Sequence, residues 1–258
     1  ATVKLDVVSA FGALGYESYR LVPGLQVLVP FDPADDHDPF LLNLFACKPD
    51  CADRLAERGH LIRRMEPPAE PLARHQWAVA LAALPYAAAF GAGWGSKEVD
   101  ASVARALAWH AMSRDTTLGM AQRHGALVAA LAAWQALVAQ APTGMRRASP
   151  ARVANEAGAR SLATQALLGL VDHILSTQEL DVGEPFLAPS VRFETLPAAS
   201  ATSQWVLGGL LEVLEQSSAF SSFYTGQGAL QRLHLIQQMG FASEQMRRRL
   251  QLIQARFP

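Results

Sequence analysis

The sequence predicts an α+β chain that is mostly α, with a small patch of strand confined to its first quarter. Two observations carry this. "LGYESYRLVPGLQVLVPFDP", Leu14 to Pro33, reads as two extended, β-branched and aromatic stretches around Pro23-Gly24. Beyond the proline-dense "RRMEPPAEP", Arg63 to Pro71, nearly every stretch is alanine- and leucine-rich at helical spacing. Those prolines cannot continue a helix or a strand, so residues 63–71 are expected to link an α/β portion, 1–62, to a helical domain, 72–258.

In the first portion Leu5, Val8, Phe11 and Leu14 recur at three-residue steps, predicting an amphipathic helix closed by Gly15. Strands are expected at Glu17–Val22, with Leu25–Phe31 as a continuation, and at Phe40–Ala46. The run "FLLNLFA" is apolar on both faces and reads as a buried strand. "PDCADRLAERG" reads as a short helix with Asp50 as N-cap and Gly59 as C-cap.

In the second portion helices are expected at Arg74–Phe90, Ser96–Ser113, Thr116–Gln140 and Pro150–Ser176, the last with Ser149 as cap and Pro150 at its first position. "TQELDVGEPFLAPSVRFETLPAAS" is a long irregular crossing. Helices at Thr202–Gln216, Gly228–Met239 and Ser243–Arg256 follow. Trp109, Trp134 and Trp205 sit among alanines and leucines, as core residues do.

Composition narrows the function classes. The chain has 258 residues, 50% of them apolar, and a formal net charge of -1, which argues against a dedicated nucleic-acid binder. Arg146-Arg147 and Arg247–Arg249 are small basic spots on solvated faces. Two cysteines are too few for a disulfide framework, and no secretory leader is visible, so a cytoplasmic location is expected. Trp77 to Gly95 carries no charged residue, but its alanine, glycine and Pro85 suit a closely packed buried helix better than a membrane span.

"FGALGYESYRLVPGL", "VLVPFD" and "LLNLFACKPD" resemble the C-terminal part of FkbM-family methyltransferases. "EPFLAPSVRFETLP", "SSFYTG" and "MGFASEQMRRRLQLIQAR" are similar to helical extensions that follow that domain in some bacterial members. The resemblance implies the terminal strands of a Rossmann-like methyltransferase sheet and an S-adenosylmethionine-dependent O-methyltransferase acting on a sugar or polyketide-like acceptor. A glycan or other small-molecule acceptor, and a homo-oligomer shaped by the helical region, fit that picture. The glycine-rich first turn and ribose-binding acid of such a site are not found before Lys4. The implied S-adenosylmethionine is therefore not expected to bind this chain alone, and an upstream methyltransferase segment becomes an expected partner. The alternative is a non-catalytic helical interaction module, whose alanine-rich helices suit close packing against a partner.

Several constellations could carry chemistry. "AAAFGAGWGSKEVD" has glycines at 91, 93 and 95 but lacks a preceding strand, so a helix end is the better reading. Cys47 and Cys51, with His37 and His60, have the wrong spacing for a zinc site and read as ordinary thiols. Asp32, Asp35, Asp36, His37 and Asp38 crowd one loop. It is either a solvated connection or, at the end of a sheet where α/β sites lie, a source of a base at Asp36 or His37 and a substrate contact at Asp32. Asn43, inside an apolar run, is a second substrate-contact candidate and must find a hydrogen bond. Asp172 and His173 point to different sides of one helix, and His110, His124 and His234 fall in separate helices.

Overall fold

In a computed structural model, the structure describes residues 5–35, 37–38, 41, 43–94, 98–177, 179–198, 202–218 and 227–256. The protein is mostly helical with a small antiparallel sheet. It divides into two compact units, each assembled from separate stretches of chain. The first comprises residues 1–80, 101–137 and 153–163; the second comprises 81–100, 138–152 and 164–258.

The first unit opens with helix α1, Leu5–Ala13. Gly15 ends it in the left-handed region, at φ 76°, with Tyr16 N–H bonded to Phe11 C=O at 3.0 Å. Strands β1 (Glu17–Val22), β2 (Val27–Pro30) and β3 (Phe45–Cys47) form one sheet in the order β2-β1-β3, both pairings antiparallel. Tyr19 lies opposite Pro30 on one side and Phe45 on the other. The face carrying Tyr19, Leu28 and Cys47 packs on α2 (Pro49–Glu57), through Ala52, Leu55 and Ala56, and on Leu61. Val22, Val27 and Val29, on the opposite face, are fully buried.

The β1–β2 turn is held from outside the sheet. Gly24 N–H donates to Glu156 C=O at 2.8 Å in α7 (Gly144–Ala157). A Cβ on Gly24 would stand 2.5 Å from Glu156 Cβ, so a close approach of two backbones demands glycine there. The proline-dense segment is tied down too. Arg63 donates to Glu17, to Tyr19 Oη (2.8 Å), to Asp53 (2.6 Å) and to Pro49 C=O (2.9 Å). Further on, Ala69 C=O accepts from Trp109 Nε1 at 3.2 Å, on α5 (Ala101–Arg114). Glu66 C=O crosses α6 (Met120–Gln140) so closely that a Cβ on Gly125 would be 2.7 Å away.

The second unit is built around an irregular segment. Helices α3 (Trp77–Ala82) and α4 (Ala87–Trp94) are separated by a turn at Pro85, where one helix was expected. Tyr86, Phe90 and Trp94 gather with Phe186 and Trp205, ring centroids 5.0–6.3 Å apart. Phe186, Leu187 and Ala188 are buried although the chain there is not regular, and Phe193 is buried just beyond them. Side chains meet its backbone: Tyr86 Oη donates to Phe186 C=O (2.8 Å), Leu187 N–H donates to Ser149 Oγ (3.1 Å), and Arg152 donates to Ala188 C=O (3.1 Å). One turn, α9 (Val191–Glu194), is capped by Ser190 Oγ. Helices α10 (Thr202–Ser218), α11 (Gln227–Gln238) and α12 (Glu244–Arg256) close the unit.

Three sequence expectations are corrected. Of the expected buried strand Phe40–Ala46, Phe40 and Leu42 lie outside the described residues; among the rest, strand structure begins only at Phe45 in β3, and Phe45 and Ala46 are exposed. The expected Pro150–Ser176 helix is two, α7 and α8 (Arg160–Thr177), divided at Gly158 with φ 86°. Pro150 is interior to α7, and Ser149 serves Leu187 instead of capping. Helix α2 starts two residues earlier than expected, with Lys48 at the N-cap position, Pro49 leading and Asp50 in the first turn. Among the described residues no helix is long and apolar enough to cross a membrane.

Two glycines test this account with opposite signs. Gly125→Ala pushes a methyl into Glu66 C=O and should destabilise by about 1–3 kcal/mol. Gly169→Ala, in α8 with nothing near the added methyl, should stabilise by roughly 0.5–1 kcal/mol. Urea unfolding of the two variants checks both.

Candidate functional site

The acidic loop after β2 is described only in part. Asp36 lies outside the described residues. Asp32 is exposed, and its Oδ1 accepts the N–H of Ala34 at 2.9 Å, a local turn contact. The His37 ring stacks on Phe31, centroids 4.1 Å apart at 24°, and its Nε2 is buried without a hydrogen-bond partner. The neighbour that sequence reasoning passed over does the structural work: Asp38 accepts from Ser161 N–H (2.7 Å) and Ser161 Oγ (2.6 Å) at the start of α8. Those oxygens satisfy donors that a helix start leaves open.

Asn43 has left the sheet and is exposed, so it is not the buried amide that the apolar run implied. It lines a groove of about 210 Å³ within the first unit, with Leu21, Phe45, Asn155 and Arg160. Neither Asp32 nor His37 lines that groove.

Two buried imidazole–carboxylate pairs were invisible in sequence. His110 Nε2 lies 2.8 Å from Glu156 Oε2, joining α5 to α7. His75 Nδ1 accepts the Leu72 N–H at 3.1 Å, which leaves Nε2–H to donate to Asp115 at 2.8 Å. Bonds from His75, Thr117 and Arg74 hold the Asp115 carboxyl far below its usual range. The partners lie 40 and 46 residues apart in the chain, so no local spacing could announce them. Ser113, beside His110, spends its hydroxyl on the His110 carbonyl at 2.7 Å and is not poised as a nucleophile.

The second unit has an acidic cleft of about 220 Å³. Arg146 bonds both Glu184 oxygens (3.0 and 3.1 Å) and Asp100 (3.2 Å), and Thr143 Oγ1 donates to Glu184 at 3.1 Å. Glu98, Asp181 and Trp94 complete the lining. Trp94, Glu98 and Asp100 come from "AAAFGAGWGSKEVD", while residues 95–97 lie outside the described residues. Gly91 and Gly93 are inside α4, with α3 before them and not a strand. These glycines therefore do not fit a cofactor's phosphate or sulfonium-bearing chain in the way a strand–glycine–helix turn would. Among the described residues no three His, Cys, Asp or Glu side chains converge on a metal position. Cys47 and Cys51 are free, half-buried thiols, and burial pushes the Cys47 thiol up. "SSFYTG" lies outside the described residues.

Compared with known protein families, curated proteins and solved structures, the chain matches none.

The titrating group with the clearest consequence is His124 on α6. Burial, and secondarily the charge of Arg20, push its pKa down to about 4. Folded His124 is neutral, whereas in the unfolded chain it takes a proton below about pH 6.5. Stability should therefore fall as pH drops from about 6.5 to 4, by up to roughly 3 kcal/mol from this residue. His124→Leu should flatten that part of the stability–pH curve, measured by denaturant unfolding at several pH values.

Proposed function

We propose that this chain contributes the closing sheet segment and a helical extension to an S-adenosylmethionine-dependent O-methyltransferase of FkbM type. The observation that carries the reading is an uncovered surface beside the sheet. Helix α1 buries none of its residues, and its apolar side chains stand open, Phe11 40% and Leu14 66% exposed. The outer edge of β3, beside the end of that helix, is unpaired among the described strands. An amphipathic helix and an open strand edge side by side need a further strand and helix to cover them. An upstream methyltransferase segment is the covering that the sequence resemblance calls for. On this reading S-adenosylmethionine is held by that segment. The helical region's role on this reading is acceptor choice or contacts between copies, with a sugar or polyketide-like acceptor.

A second reading, a non-catalytic helical interaction module, is favoured by one different observation. Val22, Val27 and Val29 are completely enclosed by the chain itself, so the sheet has a finished core on that face.

Calorimetric titration with S-adenosylmethionine separates the two. This chain alone should show no saturable binding. A polypeptide extended upstream by the residues encoded before Ala1 should bind it and should protect α1 amides from hydrogen exchange. Binding by the present chain alone would contradict the placement of the cofactor half elsewhere. Failure of the extended polypeptide to bind would remove the methyltransferase reading and leave the module.

A further inference from the structure

The protein's two cysteines stand at either end of one turn. Cys47 is the last residue of β3, opposite Glu17, and Cys51 lies in the first turn of α2. Between them the chain turns at Lys48 and Pro49, where Lys48 C=O accepts the N–H of Cys51 and of Ala52, each at 3.0 Å. That turn brings the two side chains together, and the Cys51 thiol is a hydrogen-bond partner of Cys47. Arg54, further along α2, also contacts the Cys51 sulfur and bonds Asp50 at 2.9 Å. Cys47 packs on Tyr19, Ala52 and Leu61, and both cysteines are half-buried, with part of each residue's surface open.

Two thiols in contact can do what a single one cannot. Side-chain rotation, with little movement of the main chain, is enough to bring them to the about 2.05 Å of a disulfide bond. That bond would close only the short segment Cys47–Cys51, so it would constrain the unfolded chain little and serve poorly as a structural staple. A weakly stabilised bond of this kind is easily reduced again. The segment it closes also holds two neighbours. Lys48 Nζ donates to Leu14 C=O just beyond α1, and Pro49 C=O accepts from Arg63 at 2.9 Å. The state of the two sulfurs therefore bears on the joint between α1, β3 and the proline-dense segment.

We propose that Cys47 and Cys51 form a dithiol site that a low-molecular-weight disulfide oxidises reversibly. The reaction is thiol–disulfide exchange. Cys51 gives up its proton and its sulfur attacks one sulfur of the small disulfide, whose S–S bond breaks, and one small thiol leaves carrying the proton. Cys47 then gives up its proton and attacks the Cys51 sulfur, which forms the Cys47–Cys51 bond and releases the second small thiol. In all, the two cysteines lose two electrons and two protons, and the small disulfide gains them. Burial, which pushes the Cys47 thiol up, sets the order: Cys47 ionises less readily and attacks second, when its target is already beside it. Arg54 stands where the first attacking thiolate needs a counter-charge. The site is independent of the methyltransferase reading.

The test exposes the full chain to oxidised glutathione, alkylates the remaining thiols, and reads the products by intact mass and non-reducing peptide mapping. The expected product is a single chain two hydrogens lighter, with a Cys47–Cys51 cross-link, no alkylatable thiol, and recovery of both thiols in dithiothreitol. Cys47→Ser should stop at a glutathione adduct on Cys51, and Cys51→Ser should form its adduct several-fold more slowly. The unsubstituted chain decides the matter even if a variant folds poorly. The proposal is overturned by thiols that stay fully alkylatable, by a glutathione adduct that persists on the unsubstituted chain, or by a cross-link that joins two chains. A Cys47–Cys51 bond that forms only in urea overturns it too, since the folded chain would then not be what holds the thiols together.

Discussion

The central strand of the sheet, β1, is bonded along one side and only half bonded along the other. With three strands in order β2-β1-β3, the sheet has as much edge as interior, and each edge must be paired, covered or left for something else. The β2 edge is covered by the stretch His60–Ile62, which adds a parallel bridge at Leu61. Among the described residues no strand pairs the outer edge of β3, and β3 itself pairs only Glu17–Tyr19 of β1. The uncovered side at α1 follows from that imbalance.

The second unit solves a different problem by a related rule. A stretch without regular structure before α9, Glu184 to Ser190, runs through buried surroundings, and its main-chain groups cannot be left in apolar surroundings without partners. The side chains of Tyr86, Ser149 and Arg152 supply them. Arg152 also bonds Glu194 at 3.1 Å, so the charge it brings into the interior is answered there. Ser190 and Arg192 share Glu212 of α10, which ties the same stretch to the C-terminal helices. Helix ends and aromatic rings then pack around a backbone whose polar groups are already met.

Much of the architecture was legible because it is written in local pattern. Helical spacing identified α1 and α10–α12 nearly to their ends and α5 and α6 at their C-terminal ends, and the Pro23-Gly24 turn and the left-handed glycines 15 and 59 stand where turn chemistry puts them. The errors fall where a distant partner overrides a local preference. Ser149 has the profile of a helix cap, but Leu187 takes its hydroxyl. "FLLNLFA" has the apolarity of a buried strand, but β1 offers it pairing only from Phe45 onward. Of the candidate site residues, Asn43 reaches a groove, for a reason unlike the one its setting in sequence suggested. Asp32 folds onto its own turn, His37 lies against Phe31, and Asp38 holds the start of α8 through Ser161.

The sequence by itself determined the division into a strand-bearing start and a helical remainder, the principal helices, and the turns that glycine and proline impose, because each depends on neighbours within a few residues. Tertiary structure alone decided which carboxylates meet His75 and His110, and where β3 ends. These outcomes rest on contacts between residues tens of positions apart, whose geometry exists only after the chain has folded back on itself.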